Sequence, residues 1–375
     1  MDFGAVESAF EEALARGVFP GAVLLVGRGD EIVYERAFGV RSLFPKSASM
    51  QVGTIFDLAS LTKPLATTFA IMLLVRDRKI SLDDRVTRFA DSFGVFGKKD
   101  VTCRHLLNHS SGLPEWKPYF EDIVKQEHAG RTNFIASREA KHYVYERVHR
   151  EKLVGSPGAR SRYSDLGFMI LGELVETISG ASLDRFCQDQ IFRPLDLRCT
   201  WFHDLTGSKT VAVRTPEGGI APTENCSWRK KVICGAVHDD NAYAMGGVAG
   251  HAGLFSSARD VHSLLACLNR CFRGRDPLLP EPLVQEFFSK DETVKDSNFA
   301  LGWDTPSATR STSGSCFSRR SVGHLGFTGT STWWDLEKNC HVVLLSNRVH
   351  PTRKNDKIRE FRPYVHDLIM QTLDP

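Results

Sequence analysis

The stretch TIFDLASLTKPLATTFAIMLLV, residues 54–75, carries the pattern from which the rest of the chain is best interpreted. Its second half repeats apolar residues at helical spacing, which predicts a helix over residues 63–76. A helix in this place puts Ser60 and Lys63 one turn apart on the same side. Because a serine hydroxyl attacks a carbonyl poorly until a neighbouring group takes its proton, the spacing predicts a serine nucleophile with a lysine base.

The Ser-x-x-Lys motif alone does not decide this assignment, because the chain contains the motif twice. The second copy, Ser227 and Lys230, lies in the irregular segment ENCSWRKK, whereas Ser60 opens a long apolar helix. In a purely structural interpretation, Ser60 caps that helix and Lys63 is a solvated residue of its first turn. The choice between the two interpretations depends on what the rest of the chain supplies.

The composition argues against several classes of protein. The chain has 375 residues and a net charge of +3, from 48 Lys and Arg against 45 Asp and Glu, so no nucleic acid partner is expected. The basic cluster of Arg310, Arg319 and Arg320 lies among serines and is interpreted as a solvated loop. The nine cysteines include no C-x-x-C pair, which favours reduced thiols over a disulfide framework or a zinc site.

The N-terminal segment, MDFGAVESAFEEALARGVFPGAVLLV, has acidic residues where a signal peptide has basic ones. No stretch of the sequence approaches 18 uncharged apolar residues, so no membrane partner is expected either. Together these two patterns predict a soluble protein of the cytoplasm, provided that Met1 is the natural start.

The hydrophobic periodicity places strands near both ends of the chain. Residues 21–39 are predicted to form two strands around a turn, and residues 330–348 a second hairpin. Helices are predicted outside these hairpins, over residues 4–16 and 357–373. The middle of the chain is predicted to hold further helices over 102–108, 166–179, 182–191 and 259–271, and long loops over 203–242 and 304–322.

This order of elements predicts a mixed α/β (α+β) fold. An antiparallel sheet is built from both chain ends, about residues 1–58 and 323–375, and helices flank it. A large helical and loop region, about residues 59–322, is inserted between the two parts of the sheet. Residues 1–375 then form a single unit, with a cleft expected between the sheet and the inserted region.

Two later segments favour the catalytic interpretation of Ser60. Tyr163 in SRYSDLG offers a second proton carrier, and His324 in GHLGFTG offers a polar strand beside the acyl group. In order, S-L-T-K at Ser60, Y-S-D at Tyr163 and H-L-G at His324 resemble the three motifs of class C β-lactamases and their penicillin-binding and esterase relatives. Further stretches that resemble segments of this family are residues 105–116, 157–180 and 246–261.

The resemblance covers nearly the whole chain and implies a β-lactamase/transpeptidase-like fold with serine hydrolase activity and no cofactor. It implies that Ser60 is the acylated nucleophile, that Lys63 is its base, and that Tyr163 protonates the leaving atom. The oxyanion hole would be formed by the backbone N–H groups of Ser60 and Phe327, with Gly326 beside them in the substrate cleft. For Lys63 to act as a base at neutral pH, burial or nearby positive charge must disfavour its ammonium form.

Two positions depart from the β-lactamase pattern. Asp165 stands where the family usually has Asn, and an ionised carboxylate would repel a substrate carboxylate although it still accepts from Lys63. His324 stands where β-lactamases have a Lys that binds the substrate carboxylate, and histidine is mostly neutral at pH 7. Arg348 or Arg353 could supply a replacement clamp, although a surface salt bridge is the favoured role for these arginines.

Residues 237–260 and 347–363 resemble a bacterial subgroup that includes cytoplasmic N-acetylmuramyl-L-alanine amidases of cell-wall recycling. The favoured hypothesis is therefore hydrolysis of a small amide or ester, with a muropeptide-type amide as substrate and esterase side activity. Two alternatives remain open, namely β-lactamase or DD-peptidase activity on the same site, and a catalytically silent module that binds wall fragments or β-lactams.

Some other polar groups fit a metal or nucleotide site less well. His105 and His109 have the i, i+4 spacing of a zinc site, but no Glu follows His105, so a structural role is favoured. A second group in the long loop region is interpreted as satisfied loop hydrogen bonding, although a cation site is its alternative; its members are His238, Asp239, Asp240 and His251. The glycines between residues 246 and 253 follow no strand into a βαβ unit, so no dinucleotide site is predicted.

Overall fold

The computed structural model describes residues 1–207, 218–295 and 297–374. The strands are β1 Gly21–Arg28, β2 Glu31–Ser42, β3 Ala48–Ser49, β4 Phe56–Asp57, β5 Trp201–Phe202, β6 Asn225–Cys226, β7 Lys231–Val232, β8 Leu254–Ser256, β9 Ser321–Leu325, β10 Ser331–Asp335 and β11 Cys340–Ser346. The helices are α1 Gly4–Ala15, α2 Phe69–Arg76, α3 Cys103–Leu107, α4 Tyr119–His128, α5 Arg138–His149, α6 Asp165–Ser179, α7 Leu183–Cys187, α8 Asp240–Ala244, α9 Ala258–Phe272, α10 Glu281–Phe287 and α11 Ile358–Leu373.

The main sheet has the strand order β3-β2-β1-β11-β10-β9, and each neighbouring pair is antiparallel. Its centre is the pairing of β1 with β11, in which Leu25 lies opposite Val343. The two strands come from opposite ends of the chain, so the sequence-based prediction of the sheet and of the fold class is confirmed.

Apolar cores cover both faces of the main sheet. On one face, Val23 and Leu25 of β1 join a large core with the helices of the inserted region. On the other face, Leu24 and Val26 pack with α1 and α11. The alternation follows from the two-residue period of a strand, because successive side chains point to opposite faces. The inserted helices are thus held against one face of the sheet, opposite to α1 and α11.

Several elements depart from the sequence-based prediction. The short strand β4, which the prediction placed in the main sheet, belongs to a separate three-stranded sheet with β8 and β5. Helices α4, α5 and α10 lie in segments where no helix was predicted. Although the sequence of α5, REAKHYVYERVH, is rich in charged residues, one side of the helix is buried. The buried residues there include Ala140, Val144, Tyr145 and Val148. The many charged residues obscure the apolar pattern of this helix, so the tertiary contacts decide its conformation.

The two predicted loop regions differ in outcome. The segment over 203–242 contains the hairpin β6–β7 and the start of α8, while residues 208–217 of it lie outside the described residues. The segment over 304–322 is irregular until β9 begins at Ser321. Among the residues described, no single helix has the length and hydropathy to span a membrane; α6 and the turns of Leu183–Phe192 pass that test only together, across a bend of 72°.

Candidate active site

Ser60 lies in a tight turn between β4 and the first long helix of the inserted region. Ala59, just before it, has a φ of +48°, in the left-handed region that a residue with a Cβ adopts at a cost. The turn is held by the segment after β9, since Thr328 Oγ1 donates to the Asp57 carbonyl at 2.7 Å and Thr330 Oγ1 to the Leu58 carbonyl at 2.9 Å. Two chain segments that are distant in sequence therefore fix the position of the nucleophile.

Lys63 is fully buried and lies at the centre of a hydrogen-bonded group. Its Nζ is 3.0 Å from Ser60 Oγ, 2.7 Å from Asp165 Oδ1 and 3.1 Å from the carbonyl oxygen of His251. The lysine opens a segment of π-helix, Lys63–Thr68, that continues directly into α2, so the predicted helix is present with a wider first turn.

The electrostatics around Lys63 differ from what the predicted base role requires. Burial alone would lower the pKa of Lys63, but the charge of Asp165 and the hydroxyl of Tyr163 outweigh it, so the pKa is raised above its ordinary value. In the resting site Lys63 is therefore an ammonium ion paired with Asp165. It takes a proton from Ser60 only if it gives one up in the same event.

Tyr163 lies beside both Ser60 and Lys63. Burial raises the pKa of Tyr163 to about 12, against the opposing effect of Lys63, so the phenol is protonated at neutral pH and is a proton donor. The ring of His109 packs against the ring of Tyr163, with 4.7 Å between the two ring centroids. Its neighbour Ser164 donates its backbone N–H to His109 Nδ1 at 3.1 Å, which fixes the segment that leads into α6.

The edge strand β9 forms one wall of the cleft. His324 is 2% exposed and its Nδ1 lies 2.9 Å from the Leu325 carbonyl, so that nitrogen carries the proton and donates it. Burial lowers the pKa of His324 to about 3, so the ring is neutral. At Gly326 a Cβ would come within 2.5 Å of the Leu58 carbonyl oxygen, so only glycine allows the strand to approach the Ser60 turn this closely.

Ser60, Tyr163, Gly326 and Phe327 line one cavity of about 460 Å³. The motif order, the ion pair at Lys63 and the cavity together correspond to the site of a serine acyl hydrolase. A family model described as Beta-lactamase matches residues 6–364. The chain belongs to the β-lactamase family. It is a serine hydrolase of that family.

Similar proteins agree with this assignment. The chain is 34% identical over 355 residues to a protein of Escherichia coli strain K12 named "Putative D-alanyl-D-alanine carboxypeptidase", covering 88% of this chain and 79% of that one. A protein of the same name from Salmonella typhimurium strain LT2 is 32% identical over 363 residues, covering 91% of this chain and 81% of that one.

Solved structures show the same fold. An octameric penicillin-binding protein homologue from Pyrococcus abyssi has a TM-score of 0.75 at 22% identity, covering 99% of this chain and 78% of that one. EstCE1, a hydrolase with promiscuous acyltransferase activity, has a TM-score of 0.69 at 21% identity, covering 96% of this chain and 97% of that one. At these identities the structures inform the fold alone.

Four arginines line the Ser60 cavity of this β-lactamase-family hydrolase, namely Arg310, Arg348, Arg359 and Arg362. Arg348 donates from Nε to the Phe327 carbonyl at 2.9 Å, and its guanidinium lies 4.6 Å from the Phe327 ring. Arg362 donates to the Thr330 carbonyl at 3.0 Å, but its buried Nε has no hydrogen-bond partner among the described residues. Burial, with Arg348 and Arg359 nearby, lowers the pKa of Arg362 to about 9. An anion would relieve this crowding of cations.

The two arginines predicted as carboxylate clamps lie in different places. Arg348 lines the Ser60 cavity. Arg353 instead pairs with Glu224 at 2.6 Å and with Asp240 at 3.1 Å, and it is not among the residues that line that cavity. Arg353 therefore makes the kind of salt bridge that the sequence analysis favoured, with two carboxylates paired to its guanidinium.

The remaining polar groups from the sequence analysis make structural contacts. His105 takes part in the cap of α3 through Thr102, and His238 pairs with Glu224 at 3.1 Å. Asp239 pairs with His251 Nε2 at 3.0 Å and caps α8. The competing motif at Ser227 and Lys230 occupies the exposed turn between β6 and β7 and does not line the Ser60 cavity.

The sequence analysis missed the residues that join the two halves of the site. The Gly250 carbonyl accepts from Thr67 Oγ1 at 2.7 Å, and the next carbonyl, that of His251, accepts from Lys63. A Cβ on Gly250 would come within 2.0 Å of the Phe168 carbonyl oxygen in α6. The signal in the sequence was the glycine-rich run GGVAGHAG, which marks close backbone approach but does not say to what.

Proposed function

We propose that this chain hydrolyses a small amide or ester that carries a carboxylate near the scissile bond, through an acyl-enzyme on Ser60. The observation that carries the proposal is the arrangement of Arg348, Arg359 and Arg362 around the cavity that contains Ser60. Guanidinium groups bind carboxylates strongly, because their planar donors match the two oxygens. The clamp replaces the positive charge that a neutral His324 does not supply.

The geometry suggests how the proton of Ser60 moves. As Ser60 Oγ forms a bond to the substrate carbonyl carbon, its proton passes to Lys63, which gives one of its own protons to Asp165. The bond to the leaving nitrogen or oxygen then breaks, and Tyr163 protonates that atom and regains a proton from Lys63. Water next attacks the acyl carbonyl carbon, and as the ester bond breaks one water proton passes to Ser60 Oγ while Asp165 returns its proton to Lys63.

A muropeptide-type amide is the favoured substrate, with esters as a side activity. Wall peptides end in a carboxylate, which suits the arginine-lined cavity. Asp165 accepts hydrogen bonds but, when ionised, does not donate to a substrate amide as the Asn usual in β-lactamases does, which argues against β-lactams as the main substrate. The name of the curated relatives favours D-alanyl-D-alanine carboxypeptidase activity as a second candidate. The cytoplasmic location expected from the sequence stays a prediction.

The proposal is tested by trapping the acyl group. On mixing with excess p-nitrophenyl acetate, we expect a burst of p-nitrophenol close to one equivalent and a mass increase of one acetyl group that peptide mapping places on Ser60. The Ser60→Ala variant should show neither. Acylation that survives in Ser60→Ala would refute the assignment of the nucleophile.

The same protein then distinguishes the candidate substrates. Release of L-alanyl peptide from an N-acetylmuramyl peptide would support the favoured substrate, whereas release of D-alanine from a peptide ending in D-alanyl-D-alanine would support the second candidate. Nitrocefin turnover as fast as ester turnover would contradict our interpretation of Asp165 and His324. If no substrate is turned over and Lys63→Ala binds wall fragments as the wild type does, the chain is a binding module.

A further inference from the structure

A second cavity, of about 340 Å³, adjoins the Ser60 cavity and shares Tyr163, Thr312 and Leu325 with it. Its walls include the aromatic side chains of Phe299 and Trp333. Whereas four arginines line the Ser60 cavity, no lysine or arginine is among the described residues that line this second one. The two cavities meet at Tyr163. They differ in charge, because only the Ser60 cavity is lined by cationic side chains.

Two buried acceptor atoms in this second cavity lack partners. Because Nδ1 of His324 donates to the Leu325 carbonyl, its Nε2 carries a lone pair, and that atom is buried with no partner among the described residues. Oδ1 of Asp304 is also buried without a partner there. An unpaired buried acceptor costs on the order of 1–3 kcal/mol, so both atoms gain from a ligand that donates hydrogen bonds.

The charge of Asp304 is also uncompensated. Burial raises the pKa of Asp304 to about 7, although Lys63 acts in the opposite direction. Lys63 does not serve as its partner, because the lysine is already paired with Asp165 at 2.7 Å. A cationic ligand would therefore stabilise the ionised form of Asp304, and the faces of Trp333 and Phe299 would add cation–π attraction.

We propose that the cavity lined by Asp304 and His324 binds a primary ammonium group of the substrate. The inference rests on the proposed function and deepens it. An ammonium offers three donors for the carboxylate and the imidazole nitrogen. The indole N–H of Trp333 also lacks a partner among the described residues, but as a donor it does not serve an ammonium, so Asp304 and His324 carry the recognition. The substrate is then zwitterionic, with its carboxylate among the arginines and its ammonium beside Asp304.

The test measures binding in the Ser60→Ala background, so that hydrolysis does not interfere. The probes are D-alanyl-D-alanine and its N-acetyl derivative, which share the carboxylate and differ in the ammonium. We expect the free amine to bind about tenfold or more tightly than the acetylated form, as a charge-assisted hydrogen bond requires. When Asp304→Asn is combined with Ser60→Ala, the ratio of the affinities for the two probes should fall close to one. Asp122→Asn, at a partly exposed position of α4 that lines neither cavity, is the control that should keep the ratio.

Equal binding of both probes by the protein with Asp304 intact, or a ratio that survives Asp304→Asn, would overturn the inference. Because no acyl-enzyme is needed, this failure is distinct from failure of the acylation experiment.

Thermal unfolding gives a second readout. In the folded state Asp304 keeps its proton up to about pH 7, whereas in the unfolded state it loses the proton near pH 4. The free energy of unfolding therefore falls as the pH rises from about 4 to 7. Asp304→Asn should then be more stable than its parent at pH 8, and no gain there would mean that the carboxylate already has a partner.

Discussion

Replacing Lys63 with alanine is expected to lower kcat/KM for a p-nitrophenyl ester by about 10³-fold or more, because the change removes the group that receives the Ser60 proton. Lys63 Nζ lies 3.0 Å from Ser60 Oγ, and Tyr163, with its pKa raised to about 12, is protonated and does not replace it. The measurement is the steady-state rate over pH 5 to 10. A rate within tenfold of the wild type would show that another group takes the proton.

Asp165→Asn serves as the control that separates proton transfer from packing, since it keeps the shape of the side chain and removes its charge. Asp165 raises the pKa of Lys63. Without that charge the lysine loses its proton at a lower pH, so the rise of kcat/KM with pH should move to lower pH by about 1–2 units. Because the relay needs Asp165 as a proton acceptor, activity should also fall, so a variant that keeps wild-type activity would contradict the relay. A profile that does not shift would contradict the role of Asp165 in raising the pKa of Lys63.

Gly250→Ala is expected to destabilise the fold by about 3 kcal/mol or more, because the new methyl group meets backbone on two sides. It would lie 2.0 Å from the Phe168 carbonyl oxygen and 3.0 Å from the Gly172 Cα, both within α6. Moving α6 away also moves Asp165 at its first residue, so hydrolysis should fall together with stability. Chemical denaturation and the ester assay measure the two effects.

A matched glycine shows whether the loss comes from the close contact. A Cβ on Gly155 would have no atom within 4 Å, and the residue has no left-handed φ, so Gly155→Ala should change the free energy of unfolding by less than about 1 kcal/mol. If Gly250→Ala were as stable as Gly155→Ala, the backbone contact between the Gly250 segment and α6 would be looser than the structure has it.

The sequence allowed the fold and the centre of the site to be predicted because both depend on local patterns. The two-residue period over 21–39 and 330–348 indicated the central strands, and these pair as expected. Ser60 and Lys63 are three residues apart, so helical spacing places them on one side, and in the structure Lys63 Nζ lies 3.0 Å from Ser60 Oγ. Tyr163 came from the order of motifs, and the structure places it beside both.

The features that were not predicted depend on contacts between distant segments. The pKa of Lys63 is set by Asp165, and no local pattern says whether burial or that ion pair prevails. Arg353 resembled Arg348 as a clamp candidate, but its partners, Glu224 and Asp240, lie far away in the sequence. Asp304 and His324 meet in one cavity only because an irregular segment folds back beside β9.

The pairing of β1 with β11 has a consequence for biosynthesis. A ribosome makes β11 only after the inserted region, so the centre of the sheet stays open while residues 59–322 emerge. Thr328 and Thr330, which fix the Ser60 turn, emerge equally late. The nascent chain therefore exposes an apolar strand that chaperones can protect, and the Ser60 turn stays unsupported until the segment after β9 has emerged.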